Sequence, residues 1–183
     1  TDYIFDGKKS GPYKEGDLPG PLNIYGKSKL AGEKEVLSNL PNAIIVRTAW
    51  MYGEGGKNFV DTMLNLSKTK DEVRVVNDQK GSPTWTVNLA EGILKIVEVQ
   101  RILATGAEGI YHLTNSGECT WFEFAKRIFA LAGVKRMKVI PISTEELGRP
   151  AKRPKNSLMD CSKYVRLAGR PLPHWEDALK EYL

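Results

Sequence analysis

The chain has 183 residues, 41% of them hydrophobic and 27% charged, with a formal net charge of +5, which suits one good core, or one core with a small appended lobe, in an ordinary globular protein. Its longest aliphatic run, Ala43-Ile44-Ile45-Val46, is far too short to cross a bilayer, no basic-then-apolar leader opens the sequence, and Cys119 and Cys161 form no C-x-x-C pair, so no membrane partner is expected and a reducing cytoplasm is the predicted compartment. The basic residues are scattered except for Lys152, Arg153 and Lys155, which Pro154 interrupts, and no RNP-like motif or zinc finger accompanies them, so nucleic-acid binding is not expected.

Taken in chain order, Tyr3-Ile4-Phe5 reads as a short buried strand that ends at the Asp6-Gly7 turn signal. A domain rarely starts inside a strand, so the chain is expected to be a piece of something longer. Residues 8–23 are rich in Gly, Pro and Lys and predict a surface loop. Asn23 is a helix cap, and the proline-free stretch from Ile24 to Leu40 predicts a helix. Ala43 to Thr48 is a β-branched run expected to form a strand buried on both faces of a parallel sheet. Strand, helix and strand in that order make a βαβ unit. Beyond Gly53-Glu54-Gly55-Gly56 the pattern predicts a helix from Asn58 to Lys68, a strand around Val73 to Val76, a turn-rich stretch over 77–85, a helix from Thr86 to Val99 and a strand from Ile110 to Leu113. Thr120 and Glu123 form a T-x-x-E capping box. Trp121, Ala125, Ile128, Phe129 and Ala132 follow it at helical spacing and read as core, with Gly133 as the stop. The tail alternates short strands and helices and closes on a helix over Trp175 to Leu183.

Tyr25 and Lys29 stand four apart on the first predicted helix and therefore share a face. An ammonium beside a phenol favours the phenolate, which lets a tyrosine exchange a proton at neutral pH. The spacing by itself fits a surface lysine beside a half-buried tyrosine equally well. His112 and His174 are isolated, and neither cysteine has a histidine at motif spacing, so no triad or metal cluster is expected.

The order of short motifs says more. Thr1-Asp2-Tyr3-Ile4-Phe5-Asp6-Gly7 is followed by Tyr25-Gly26-Lys27-Ser28-Lys29-Leu30-Ala31-Gly32-Glu33, then by Arg47-Thr48-Ala49-Trp50-Met51-Tyr52-Gly53. Asn58-Phe59, Asp78-Gln79-Lys80-Gly81-Ser82-Pro83-Thr84 and Arg153-Pro154-Lys155-Asn156-Ser157 complete the series. The series, which covers essentially the whole chain, resembles the extended short-chain dehydrogenase/reductases, most closely the dTDP-4-dehydrorhamnose reductases.

The resemblance implies an α/β fold: the remainder of a Rossmann-type parallel sheet with helices over residues 1–114, including a substrate-domain excursion near 56–85, and a small α+β substrate-binding domain over 115–183. It implies Tyr25, Lys29 and Thr1 as catalytic residues, with Tyr25 and Lys29 also meeting an NADPH or NADH cofactor. Thr1, Asp2 and Trp50 are implied for the substrate, a dTDP-sugar. The implied activity is reduction of the C4 keto group of dTDP-4-dehydro-6-deoxy-L-mannose to dTDP-L-rhamnose. Arg153 reads as a diphosphate contact or as a solvated charge. Gly53-x-Gly55-Gly56 does not have the spacing of the phosphate-binding G-x-G-x-x-G, so the cofactor half is expected upstream of this chain. Some relatives hold a metal at a dimer contact through acidic residues. The corresponding stretch here, Thr84-Trp85-Thr86-Val87-Asn88, has none, so no metal is expected, while a homodimer remains open. An epimerase or dehydratase of the same fold, and a non-catalytic regulatory homologue, are the alternative functions.

Overall fold

The computed structural model describes residues 1–103 and 108–183. The chain opens with a single 3-10 turn over Asp2–Ile4, then α1 (Ile24–Asn39), β1 (Ile44–Arg47), β2 (Met51–Tyr52), α2 (Phe59–Ser67), β3 (Glu72–Val76), β4 (Lys80–Gly81) and β5 (Thr84–Trp85). It continues through α3 (Thr86–Leu103), β6 (Gly109–His112), β7 (Cys119–Thr120), α4 (Trp121–Leu131), β8 (Lys138–Ile142), α5 (Thr144–Leu147), α6 (Ser162–Ala168) and α7 (Trp175–Tyr182).

Strands pair two by two among the described residues. β1 lies parallel to β6, β2 to β5 and β3 to β8, and β4 is antiparallel to β7. Parallel pairs whose partners are far apart in sequence, with helices between them, make this an α/β structure.

Helix ends follow the local sequence. Asn23, Asn58 and Thr120 cap α1, α2 and α4, each accepting a backbone N–H three residues on. The Thr120 and Glu123 capping box is complete in both directions. Gly133 takes a φ of +69° just past α4, a conformation that costs glycine little.

The opening strand does not form. Phe5 N–H donates to the Asp2 carbonyl (3.1 Å) and Gly20 N–H to the Ile4 carbonyl (2.8 Å), so backbone groups that a strand would pair with a neighbour are used in the turn and the following loop. Without that strand the expected first βαβ unit is absent too, and β1 finds its parallel partner later in the chain, in β6. β1 is not buried on both faces either: Ile44, Ile45 and Val46 are half-buried and Arg47 is buried. The turn-rich stretch over 77–85 contains the two-residue strands β4 and β5, too short for any periodicity to reveal.

Among the described residues three apolar clusters make up the core. The largest joins β2, β3, α2, α4 and α7 around Tyr52, Val60, Phe124, Ile128 and Leu179. A second joins α3, β6 and α6 around Ile96, Leu113 and Tyr164. The third, of Ile4, Phe5, Tyr13, Ala49 and Met159, lies beneath the opening turn and carries the site.

Candidate active site

All five residues singled out in the sequence, Thr1, Asp2, Tyr25, Lys29 and Trp50, line one cleft of about 550 Å³. Three segments deliver them: the opening turn, one stripe of α1 and the bend between β1 and β2.

α1 presents Tyr25, Lys29 and Glu33 to the cleft at i, i+4 and i+8, the spacing of a single helical face. Gly26 is the buried residue beside Tyr25, and a Cβ there would overlap the Tyr3 carbonyl oxygen. Glycine thus lets the helix lie directly on the opening turn. The Tyr25 ring meets Tyr3 edge to face, with centroids 5.6 Å apart. Half of Tyr25 remains exposed (51%), so its phenol can be reached from the cleft. The Lys29 ammonium lies 5.7 Å from the centroid of the Tyr25 ring, within cation–π range.

In the opening turn the Thr1 hydroxyl donates to Asp2 Oδ1 (3.1 Å) and accepts weakly from Tyr3 N–H (3.4 Å). Thr1 and Tyr25 therefore share the cleft, but the Thr1 hydroxyl is engaged within its own turn. Asp2 is only 4% exposed, and burial pushes its carboxyl above the ordinary aspartate range. Ser157 stands beside it, but the Ser157 hydroxyl donates to the Lys80 carbonyl (3.1 Å), which leaves Asp2 Oδ2 without a donor. Thr48 Oγ1, on a second residue lining the cleft, is likewise buried and unpartnered. An unmet buried polar group costs about 1–3 kcal/mol, and both residues lie in the wall of the cleft.

Trp50 is the one non-glycine residue with positive φ (+49°) among the described residues, a conformation costing roughly 1–3 kcal/mol. Three contacts hold it there. Its carbonyl accepts from Thr84 N–H (3.2 Å), its indole stacks on Trp121 at 3.6 Å with planes 9° apart, and Gly81 leaves room where a Cβ would overlap the indole.

Sequence reasoning missed Trp121 and Tyr3. Trp121 has the helical spacing of a core residue and does pack against the largest cluster, yet it also lines the cleft. Nothing local to α4 announces a stacking partner at the far end of β1. Both residues also line an adjoining cavity of about 400 Å³ that contains Phe59, Arg74, Arg149 and Arg153. Arg153 Nε donates to the Tyr3 hydroxyl (3.0 Å), so this side chain is fixed at the junction of the two cavities.

A reachable phenol with a nearby ammonium can give up a proton. A buried carboxyl, a spare hydroxyl and a stacked indole can grip a polar ring, and a neighbouring set of guanidiniums can meet phosphate oxygens. Known proteins bear on this geometry. The profile of the RmlD substrate binding domain matches residues 1–183. The spore coat polysaccharide biosynthesis protein SpsK of Bacillus subtilis is 45% identical over all of this chain and 62% of its own length. A dTDP-4-dehydrorhamnose reductase of Streptomyces griseus is 44% identical over 99% of this chain and 60% of its own length. The crystal structure of dTDP-4-dehydrorhamnose reductase from Bacillus anthracis in complex with NADP superposes with a TM-score of 0.87 at 43% identity, over 99% of this chain and 62% of that one. This chain therefore spans about three-fifths of the length of the relatives it matches. A profile match over every residue, and a shared fold at this identity, place the chain in the RmlD substrate binding domain family.

Proposed function

We propose that this chain provides the proton-donating and sugar-binding part of an NAD(P)H-dependent reductase acting on the C4 keto group of dTDP-4-dehydro-6-deoxy-L-mannose, with dTDP-L-rhamnose as product. The observation that carries this reading is the convergence of Tyr25, Lys29, Thr1, Asp2 and Trp50 on a single cleft.

The residues present fit the nicotinamide-ribose end of a dinucleotide, through Tyr25 and the Lys29 ammonium. They do not supply a pyrophosphate site. The glycines at 53, 55 and 56 lack the spacing of the phosphate-binding fingerprint, and Asn58 already caps α2 through Asp61 N–H (3.0 Å). The pyrophosphate is assigned to residues outside this chain.

When bound, the reduced nicotinamide supplies the hydride that the carbonyl carbon accepts. As the C=O electron pair moves onto oxygen, Tyr25 donates its phenolic proton to that oxygen, and the product is the alcohol. Lys29 offsets the charge of the phenolate left behind. Thr1 offers a second hydroxyl to the same oxygen once its O–H is released from Asp2 Oδ1, to which it donates in this structure. Asp2 and Thr48 take the sugar hydroxyls, the Trp50 indole walls the ring, and Arg74, Arg149 and Arg153 meet the diphosphate. The same reading assigns residues 1–114 to the Rossmann-type part, with 56–85 and 115–183 serving the substrate, and places the reaction in the cytoplasm. No helix among the described residues is long and apolar enough to cross a membrane.

The test is Tyr25→Phe in the enzyme assembled with its cofactor-binding part. Phenylalanine keeps the ring and removes only the proton donor, so turnover should fall by about 10² to 10⁴, while calorimetry finds dTDP-L-rhamnose affinity unchanged. Retention of more than about a tenth of wild-type turnover would remove Tyr25 from the role of acid.

A further inference from the structure

α1 carries Tyr25, and within this chain apolar packing secures it only lightly. Gly26 is its one fully buried residue, while Ile24 and Val36 are 85% and 41% exposed. Leu30 packs against the edge of the smallest apolar cluster. A helix without a strong apolar face needs another anchor to fix its rotation and translation.

That anchor is at Glu33, one and two turns beyond Lys29 and Tyr25 on the same stripe. Arg47, at the end of β1, forks onto it: Nη2 to Oε2 at 2.6 Å and Nε to both carboxylate oxygens at 3.0 and 3.1 Å. Both side chains are largely buried, at 3% and 10% exposure. Such a bidentate pair fixes direction as well as distance. The rest of the guanidinium is held too. Nη1 donates to the Glu15 carbonyl (3.4 Å) and to His112 Nε2 (3.3 Å), and the Phe5 ring lies 5.6 Å from the guanidinium carbon. Phe5 closes the opening turn that carries Thr1 and Asp2. Three residues after Arg47 the chain reaches Trp50. One guanidinium therefore connects the three segments that carry Thr1, Asp2, Tyr25, Lys29 and Trp50.

We infer that the Glu33–Arg47 ion pair is the positioning device of the site, setting Tyr25 and Lys29 against Thr1, Asp2 and Trp50. Neither residue transfers a proton; both act through the helix. The catalytic part of this inference rests on the proposed reductase reading, whereas the anchoring of α1 does not.

Two variants separate positioning from folding. Glu33→Gln keeps the shape but leaves a buried guanidinium without its counter-charge. The double variant Glu33→Leu/Arg47→Met removes that burden, since replacing a buried ion pair with well-packed hydrophobic residues of similar volume is often neutral for stability. The double variant should therefore melt within a few degrees of wild type. Even so, its α1 amides should exchange hydrogen about tenfold faster, with α4 unchanged as the internal control. In the enzyme assembled with its cofactor-binding part, kcat should fall about 10- to 100-fold, since small misplacements of reacting groups carry penalties of that size. The KM for the keto-sugar nucleotide should stay within about twofold, because the groups that bind sugar remain. Wild-type exchange in α1 of a stably folded double variant overturns the inference, as does a rise in KM at constant kcat. If the wild-type assembly shows no turnover, the reductase reading fails, and the exchange experiment still decides whether the pair anchors α1.

Discussion

Tyr52 and His112 are both buried polar side chains, and the interior treats them in opposite ways. The Tyr52 hydroxyl, in the middle of the largest cluster, has no hydrogen-bond partner, and burial drives its pKa well above the ordinary tyrosine value. Removing it leaves the ring contacts with Phe124 and Tyr182 in place. Tyr52→Phe should therefore stabilise the chain by about 1 kcal/mol, or roughly 3 °C in Tm, as calorimetry or thermal melting can measure. His112, by contrast, is fully satisfied. Its Nδ1 lies 2.9 Å from the Tyr13 carbonyl and its Nε2 faces Arg47 Nη1 at 3.3 Å. A carbonyl only accepts and a guanidinium only donates, so the ring is neutral with its hydrogen on Nδ1. Burial first, and the Arg47 charge second, push its pKa down to about 4. The unfolded histidine, near its ordinary 6.5, takes up a proton first as the pH falls. The stabilisation from keeping this ring neutral is thus complete above about pH 6.5 and is lost between there and pH 4, on the order of 3 kcal/mol in all. The stability difference between wild type and His112→Asn, followed by urea titration from pH 7.5 to about pH 4, isolates this contribution; a difference independent of pH would show that His112 does not titrate in this way.

At the scale of elements, short-range chemistry set the helices and long-range contacts set the strands. α4 shows the first case. Thr120 accepts from Glu123 N–H at 3.1 Å, Glu123 returns a bond to Thr120 N–H at 2.7 Å, and the Thr120 hydroxyl also donates to Asn77 Oδ1 at 2.8 Å. Thr120→Ala removes a cap and leaves the Asn77 contact open, so its cost should lie near the upper end of the capping range, about 2 kcal/mol, read from denaturant midpoints. Thr120→Ser should recover most of it. The opening segment shows the second case. Tyr3-Ile4-Phe5 has strand composition, but among the described residues its backbone meets Gly20 and its own turn rather than a neighbouring strand. A strand exists only where another edge receives it, whereas a cap closes within three residues of its own helix.

For the molecule as a whole, the proposed reductase reading divides the sugar nucleotide between the two adjoining cavities. Tyr3 and Trp121 belong to both walls, so a sugar beside Tyr25 and a diphosphate beside the arginines can belong to one bound molecule. On the same reading the dinucleotide is served less well, since Tyr25 and Lys29 are offered to it but, among the described residues, no glycine-rich cradle with a free helix N-terminus. The chain of residues 1–183 should therefore bind dTDP-L-rhamnose measurably, while NADPH binding should be weaker than about 1 mM, less than roughly 4 kcal/mol of affinity. Calorimetry with each ligand separately checks this. Micromolar NADPH affinity would mean that a phosphate site is built from residues assigned here to other work.

The sequence by itself determined the α/β class and the extent of α1, α2 and α4, and its ordered motifs, through their resemblance to a known family, pointed to Thr1, Asp2, Tyr25, Lys29 and Trp50, which line one cleft. Helix limits were legible because capping and proline exclusion are local, and the cleft residues because they sit in ordered motifs. Only the tertiary structure decided that the opening segment is a turn, that Trp50 is held at positive φ by a stack on Trp121, and that Glu33 is tied to Arg47. Each of these depends on groups brought together across long stretches of chain, and their free energy comes from burial and pairing that no short window of sequence contains.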